Sequence, residues 1–325
     1  MRARRHHLPS QPDPPTLHQP PNPRSVDDSC TTSSPSGATV TATLALDELA
    51  ARHQIVGRRQ ELRAIHACLR TGRHPLLEGP VGVGKTALAR AVAEGMGRGL
   101  LRVDGDGRYT ESKLVGHFDP PGVLERGYQP DLFIPGPLVS AMQAGALLFI
   151  NELNRMPEGV QNVLLPALDE GIITVPRLGL IQAAPGFALV ATQNPAEFVA
   201  TGHLSEALLD RFELVQLNYQ DADAEFMIVK QEAGQSPPDE LIEAAVALAR
   251  ATREDPRIRR GASVRAAIAI ADLATVLDGD LSAAARLALP TRIELADAKR
   301  APMSELLQQL VDAVQKKKRL THHKS

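Results

Sequence analysis

The eight residues Gly79-Pro80-Val81-Gly82-Val83-Gly84-Lys85-Thr86 constrain this chain more than any other stretch. They follow the spacing G-x-x-x-x-G-K-[ST], in which glycines let the backbone wrap tightly and aim several N–H groups at one point. That point falls at a helix N-terminus, where the dipole favours an anion. A lysine placed as Lys85 is reaches β- and γ-phosphates, and a hydroxyl placed as Thr86 is can ligate Mg²⁺. Such a loop works only between a strand and a helix, and both flanks comply. Pro75-Leu76-Leu77-Glu78 is a short apolar run. Ala87 to Met96 is Ala-rich, with Ala87, Leu88, Ala91 and Val92 at helical spacing, and Gly95, Gly97 and Gly99 close it. A strand–loop–helix unit that binds a nucleoside triphosphate is therefore expected, with Mg²⁺ at the Thr86 hydroxyl.

One strand needs neighbours. Leu100–Val103, Ala146–Ile150, Phe187–Thr192 and Leu214–Leu217 are four more short runs, each apolar on both faces. Strands of that kind belong in a parallel sheet covered by helices on both sides. Helical patterns alternate with them. Examples are Pro137–Gln143, Glu158–Glu170, and the segment opened by Val56-Gly57-Arg58-Arg59, in which Leu62, Ile65 and Leu69 recur helically. The class is α/β, with a doubly wound, five-stranded parallel sheet over residues 43–220. From about Asp221 the strand signals stop. Ala222–Glu232, Asp239–Thr252, Val264–Leu277 and Ser304–Gln315 read as helices, so residues 221–325 are expected to form a small all-helical lid, hinged near Leu217–Asp221.

Two stretches of the α/β part are irregular. Asp104 to Pro137 is rich in Gly, Pro and Asp, and a loop of that length is usually functional. Ile172 to Gln182 reads as a β-hairpin with its tip near Pro176–Gly179. Residues 1–42 differ from everything that follows. Rich in Pro, Ser and Thr, they cannot bury a core and are expected to be disordered, with His6, His7 and His18 part of a basic tail rather than a metal site. Arg4-Arg5 precedes no apolar run, so it is not an export signal.

Composition removes several classes. A net charge of −2 over 325 residues exerts no bulk pull toward nucleic acid or membrane. No run of eighteen apolar residues occurs. Cys30 and Cys68 are the only cysteines, far apart, which argues against a disulfide scaffold or a zinc site. Lys316-Lys317-Lys318-Arg319 reads as a solvated helix C-terminus that complements the dipole. A soluble, cytoplasmic protein is the default.

Four further places carry candidate chemistry. Leu147-Leu148-Phe149-Ile150-Asn151-Glu152 is an apolar strand that ends in polar residues. A carboxylate pair at such a place holds Mg²⁺ through water and activates the attacking water. Here Glu152 keeps the general-base role, whereas Asn151 offers Mg²⁺ an amide without charge, so weaker metal retention is expected. Asn194, in Ala191-Thr192-Gln193-Asn194-Pro195, could bond the attacking water or the γ-phosphate, though Asn-Pro is also a common turn starter. Arg211, after Leu208-Leu209-Asp210, could reach a neighbouring subunit's γ-phosphate; the plainer reading is an ion pair with Asp210 or another surface carboxylate. Arg265, in Gly261-Ala262-Ser263-Val264-Arg265, lies in a first helical turn with Ser263 as its N-cap. A cation there opposes the dipole, which favours a bound anion.

This order of motifs, with a helical lid, resembles the AAA+ ATPases over roughly residues 50–301. Phe133-Ile134-Pro135-Gly136-Pro137-Leu138, Asn151-Glu152-Leu153-Asn154-Arg155, Ala191-Thr192-Gln193-Asn194-Pro195, Glu206-Ala207-Leu208-Leu209-Asp210-Arg211-Phe212 and Gly261-Ala262-Ser263-Val264-Arg265 resemble the MoxR family, which is similar to the magnesium chelatase ATPase subunit. The resemblance implies a Walker A motif at Gly79–Thr86, a Walker B motif at Leu147–Glu152, sensor 1 at Asn194, an arginine finger at Arg211 and sensor 2 at Arg265. It implies that Asp104–Pro137 contains the helix-2 insert and that Ile172–Gln182 is the pre-sensor-1 hairpin. A homo-hexameric ring that remodels a client protein is also implied, the client often carrying a von Willebrand factor A domain, during metallocentre insertion or complex maturation. Asn151 departs from the family's usual Asp.

Because of Asn151, a nucleotide-gated scaffold ring with little hydrolysis is the alternative. A small-molecule kinase fits less well, since the lid is C-terminal rather than inside the α/β core. Nucleic acid is not an expected partner: Arg177 is the hairpin's one basic residue, and no aromatic interleaves with it.

Overall fold

A computed structural model describes residues 46–194, 204–297 and 302–322, with side chains up to Lys317. The tail 1–42, with its histidines, and the side chains of Lys318 and Arg319 lie outside the described residues.

Eleven strands occur among the described residues. They are β1 (His74–Glu78), β2 (Leu100–Asp104), β3 (Gly116–Phe118), β4 (Phe133–Pro135), β5 (Leu147–Asn151), β6 (Ile172–Val175), β7 (Gly179–Gln182), β8 (Ala188–Gln193), β9 (Phe212–Gln216), β10 (Ile258–Arg260) and β11 (Glu294–Leu295). Five of them form the expected parallel sheet, in the order β2-β5-β8-β1-β9. The side-chain period of two sends alternate residues to opposite layers. Leu77, Phe149 and Val190 meet Leu62, Ile65, Leu69, Leu88 and Val92, from helices Arg59–Arg70 and Lys85–Gly95. Leu76, Leu148, Ile150 and Leu189 meet Leu138, Met142 and Leu164 on the other face. Each fully buried Leu of this kind contributes about 1.5–3 kcal/mol. The register pairs Leu76 and Ile150 with Ala191, and Asp104 with Asn151. The C-terminal ends of β1, β8, β5 and β2 are therefore level, the crevice where open α/β sheets bind ligands.

The helix expected over Glu158–Glu170 is two short helices, Glu158–Asn162 and Leu164–Asp169. Pro166 is the reason: it has no N–H to return to Asn162, four residues earlier. Within 104–137, β3 and β4 pair antiparallel around helix Pro120–Arg126. Phe118 there meets Tyr128 and Phe133 edge-on, with centroids 5.1 and 5.4 Å apart. β6 and β7 form the expected hairpin, closing at Val175 and Gly179. Arg177 turns its tip at φ 70° and lies over the Tyr128 ring at 5.2 Å, which joins hairpin and insert.

Beyond Asp221, whose carboxylate caps Ala224 N–H at 2.8 Å, the chain builds a second core from Ile242, Leu248, Ile270, Leu281 and Leu306. It is helical with one addition. β10 and β11 pair antiparallel, so this region is not helices alone, and helix Leu281–Ala288 joins the four expected ones. A two-residue strand has no period to read. No helix among the described residues is long and apolar enough to cross a membrane.

Candidate nucleotide-binding site

The loop leaves β1 and enters helix Lys85–Gly95 through Gly82 and Gly84, at φ 83° and 95°, which other residues adopt only under strain. Lys85 Nζ donates to the carbonyls of Gly79 and Pro80 at 2.6 and 2.9 Å. Two contacts set the loop in place. A side chain at Gly79 would collide with the Leu217 carbonyl at the end of β9. Arg58 donates to Val83 O at 3.2 Å and to Asn218 O at 2.5 Å, with Glu61 as its ion-pair partner.

Lys85, Thr86, Asn151, Glu152 and Arg265 line one cavity of about 520 Å³. The lid closes it. A Cβ at Gly82 would stand 2.6 Å from the Ser263 hydroxyl, so lid and loop touch. Ser263 occupies the N-cap position of helix Val264–Val276, but its side chain caps no N–H; it lies over Gly82 instead. Four cations, Lys85, Arg90, Arg102 and Arg265, face this cavity against one carboxylate, Glu152. That balance suits a polyanion. A second cavity adjoins it, lined by Ile55, Val56, Tyr219, Ile228 and Ile268, and it shares Gly82, Gly84 and Arg265 with the first. Its apolar walls suit a flat ring.

Glu152 sits at φ 58° and ψ 52°, an uncommon conformation for a residue with a side chain. Its N–H donates to Thr192 Oγ1 at 2.8 Å, and its carboxylate lies 3.1 Å from Arg155 Nε. Because Thr192 Oγ1 accepts from Glu152, its own proton goes to Asn151 Oδ1 at 3.1 Å. Asn151 Nδ2 then donates to Asp104 Oδ1 at 3.0 Å. The two bonds fix which way the amide points. Asp104 also receives Arg102 Nε and an Arg102 terminal nitrogen, the latter at 2.7 Å. Those Arg102 bonds, more than the Asn151 one, hold the Asp104 carboxyl below its usual range.

Two predicted residues stand apart from the cavity. Asn194 is buried just past β8, beside Gln193, which bonds Glu78 at the root of the loop at 2.6 Å. Arg211 donates from Nε and a terminal nitrogen to both Asp169 oxygens, at 2.7 and 2.8 Å, and also to the Ala207 carbonyl. The Arg211 hydrogen bonds to Asp169, and behind them the charges of Arg211 and His74, lower the Asp169 pKa. Asp169, not Asp210, is thus the carboxylate that Arg211 meets. Sequence reasoning missed Arg58, Tyr219 and Arg102. Only Arg102 left a signal, a charge inside the otherwise apolar Leu100–Val103.

No three His, Cys, Asp or Glu among the described residues are grouped to hold a metal ion. The donor set still fits Mg²⁺ carried in on phosphate oxygens, because Mg²⁺ keeps several waters and asks little of the protein. Thr86 would be its protein ligand, and the second lone pair of Asn151 Oδ1 would meet a metal-bound water.

The fold and this cavity define a P-loop nucleotide-binding protein with a helical lid. Residues 74–212 match the AAA domain of the dynein-related subfamily. An uncharacterized protein of Staphylococcus saprophyticus is 32% identical over 215 residues, which span 64% of this chain and 81% of that one. The chain belongs to this AAA family. Gas vesicle ATPase GvpN1 of Halobacterium salinarum is 32% identical over 226 residues, 65% of this chain and 64% of its own length. Among solved structures, a RuvB mutant of Thermotoga maritima has the same fold, with a TM-score of 0.50 and 20% identity over 74% of this chain and 72% of that one.

Proposed function

We propose that this chain is a MoxR-type ATPase that binds Mg²⁺-ATP, hydrolyses it, and uses the cycle to remodel a partner protein. The observation that carries this reading is the shared cavity: the loop's Lys85 and Thr86, the Glu152 carboxylate and the lid's Arg265 face one space. Lys85 and the loop N–H groups bind the phosphates, and Glu152 takes the proton of the attacking water. Mg²⁺, when bound, supplies charge neutralisation at the β- and γ-oxygens. Arg265 couples phosphate occupancy to the lid. Asn194 does not line the cavity and is buried just past β8, so its sensor role rests on the MoxR resemblance alone. Arg211 pairs with Asp169 within its own subunit, and in this reading it exchanges that carboxylate for a neighbouring subunit's γ-phosphate, so a cytoplasmic homo-hexameric ring is part of the reading. Two relatives' own names, gas vesicle ATPases, support the activity. Exposed Leu124, Tyr128 and Leu180 on the insert and hairpin supply an apolar face for a client, a von Willebrand factor A domain protein in this reading.

Asn151 favours a second reading, a nucleotide-gated scaffold, since its amide is committed to Asp104 and Thr192. Phosphate release with Mg²⁺-ATP decides between them, with Glu152→Gln as baseline. Release well above that baseline supports the ATPase; release equal to it, with ATP still bound, favours the scaffold.

A further inference from the structure

The Asp104–Asn151 pair raises the question of why a triphosphate site places a neutral amide beside its metal position. The neighbouring edge strand answers it. β2 runs beside β5 with Asp104 opposite Asn151, and Arg102, two residues earlier, projects from the same face. Leu100, on that face as well, packs among the residues under helix Lys85–Gly95, so Arg102 stands on the loop's side of the sheet. Arg102 lines the phosphate cavity together with Thr86, Arg90 and Asn151.

An ordinary surface ion pair would need no more than Arg102 and Asp104, and such pairs stabilise little. This one is part of a chain. Asp104 accepts from Nε and one terminal nitrogen of Arg102 and, on the other side, from Asn151. The guanidinium has five N–H donors in a rigid fork. Asp104 takes one edge of that fork and leaves the second terminal nitrogen for an anion. The carboxylate that aims Arg102 also excludes an acid from position 151, because two carboxylates in hydrogen-bond contact oppose each other's ionisation. Asn151 is thus the neutral joint that lets β2 present a cation.

We propose that Arg102 is a further triphosphate-binding residue, aimed into the cavity by Asp104, and that it supplies at the phosphates part of the positive charge a divalent ion otherwise supplies. The proposal rests on the reading of this cavity as a nucleoside-triphosphate site. It makes nucleotide binding less dependent on Mg²⁺ than an Asp-Glu site would be, and it makes Asp104 a positioning residue.

Equilibrium binding of a ribose-labelled fluorescent ATP to the full chain tests this, once with Mg²⁺ and once with EDTA. Arg102→Ala and Arg102→Gln are compared with the parent and with Lys85→Ala, after circular dichroism shows each variant folded. Arg102 is half-exposed on an edge strand, and Gln keeps most of its stem, so folding is expected to survive. Loss of one charge-assisted contact weakens binding about tenfold. That loss is expected in EDTA, with a smaller one in Mg²⁺, and Asp104→Asn is expected to show the same asymmetry. Equal losses under both conditions, or none in EDTA, overturn the role of Arg102 while Lys85→Ala, having lost binding, leaves the site reading intact. If Lys85→Ala binds as the parent does, the site reading falls, and the proposal with it.

Discussion

Replacing Asn151 by Asp would restore the acidic pair usual at the end of such a strand, and it is expected to harm this protein. The amide nitrogen lies 3.0 Å from an Asp104 oxygen. Asn151→Asp exchanges that donor for a second negative oxygen. Two unit charges about 3 Å apart repel by roughly 1.4 kcal/mol in water and about 5.5 kcal/mol at an effective dielectric of 20. The Asp104 side chain is 57% exposed and has Arg102 beside it, so the low end applies. Adding the lost hydrogen bond, itself about 1 kcal/mol, gives roughly 2–2.5 kcal/mol of destabilisation at pH 7. Asn151→Asp combined with Asp104→Asn reverses the pair: the amide, now on β2, donates to the carboxylate, now on β5, and Thr192 still donates from the other side. The double variant is expected to recover more than half of the loss, which a double-mutant cycle in urea reads as coupling. Acid offers a second check. In the single variant one of the two carboxyls has its folded pKa raised, so the deficit shrinks as pH falls through that value and grows as pH rises. A single variant as stable as the parent at pH 7, or a double variant no better than the single, would refute the argument.

Arg211→Ala is expected to leave ATP binding intact and to abolish phosphate release; normal turnover would remove the trans-acting role. Gly82→Ala forces a side chain into φ 83°, at about 1–2 kcal/mol, and against Ser263, so weaker ATP binding and a lower melting temperature are expected, and unchanged values for both would show that lid and loop do not meet there. His74 is buried at the start of β1, where Nδ1 accepts the Leu189 N–H at 3.1 Å. Burial lowers its pKa below the ordinary 6.5, partly offset by the Leu168 carbonyl and Asp169. A depressed histidine pKa means the unfolded chain takes up the proton first. Stability is therefore full above pH 6.5 and falls as pH drops below it, by up to about 1.4 kcal/mol per unit. His74→Gln is expected to flatten that slope in urea titrations at pH 5 and pH 7; an unchanged slope would assign it to other groups.

What could be read before folding, and what could not, follows from the range of each interaction. The five sheet strands and the loop were legible because each is specified locally, by an apolar run or by glycines at fixed offsets. The break in the helix after Pro157 was equally local: Pro166 announced it, yet the apolar period ran through Val163 and concealed it. The lid's β10–β11 ribbon was not legible, since strands of three and two residues carry no period and pair across 34 residues between Arg260 and Glu294. Tertiary range decided the site in the same way. Lys85 and Thr86 come with their motif, but Arg58 reaches Asn218 across 160 positions, and no local pattern marks it. Asn151 is the sharpest case. Within its own strand it looks like a defect, a carboxylate gone missing. Only when β2 is laid beside β5 does Asp104 stand opposite it, 47 residues away in the chain, with Arg102 behind. The departure at position 151 and the charge inside Leu100–Val103 each broke a local rule, and the fold places the two breaches in contact, where each supplies what the other lacks.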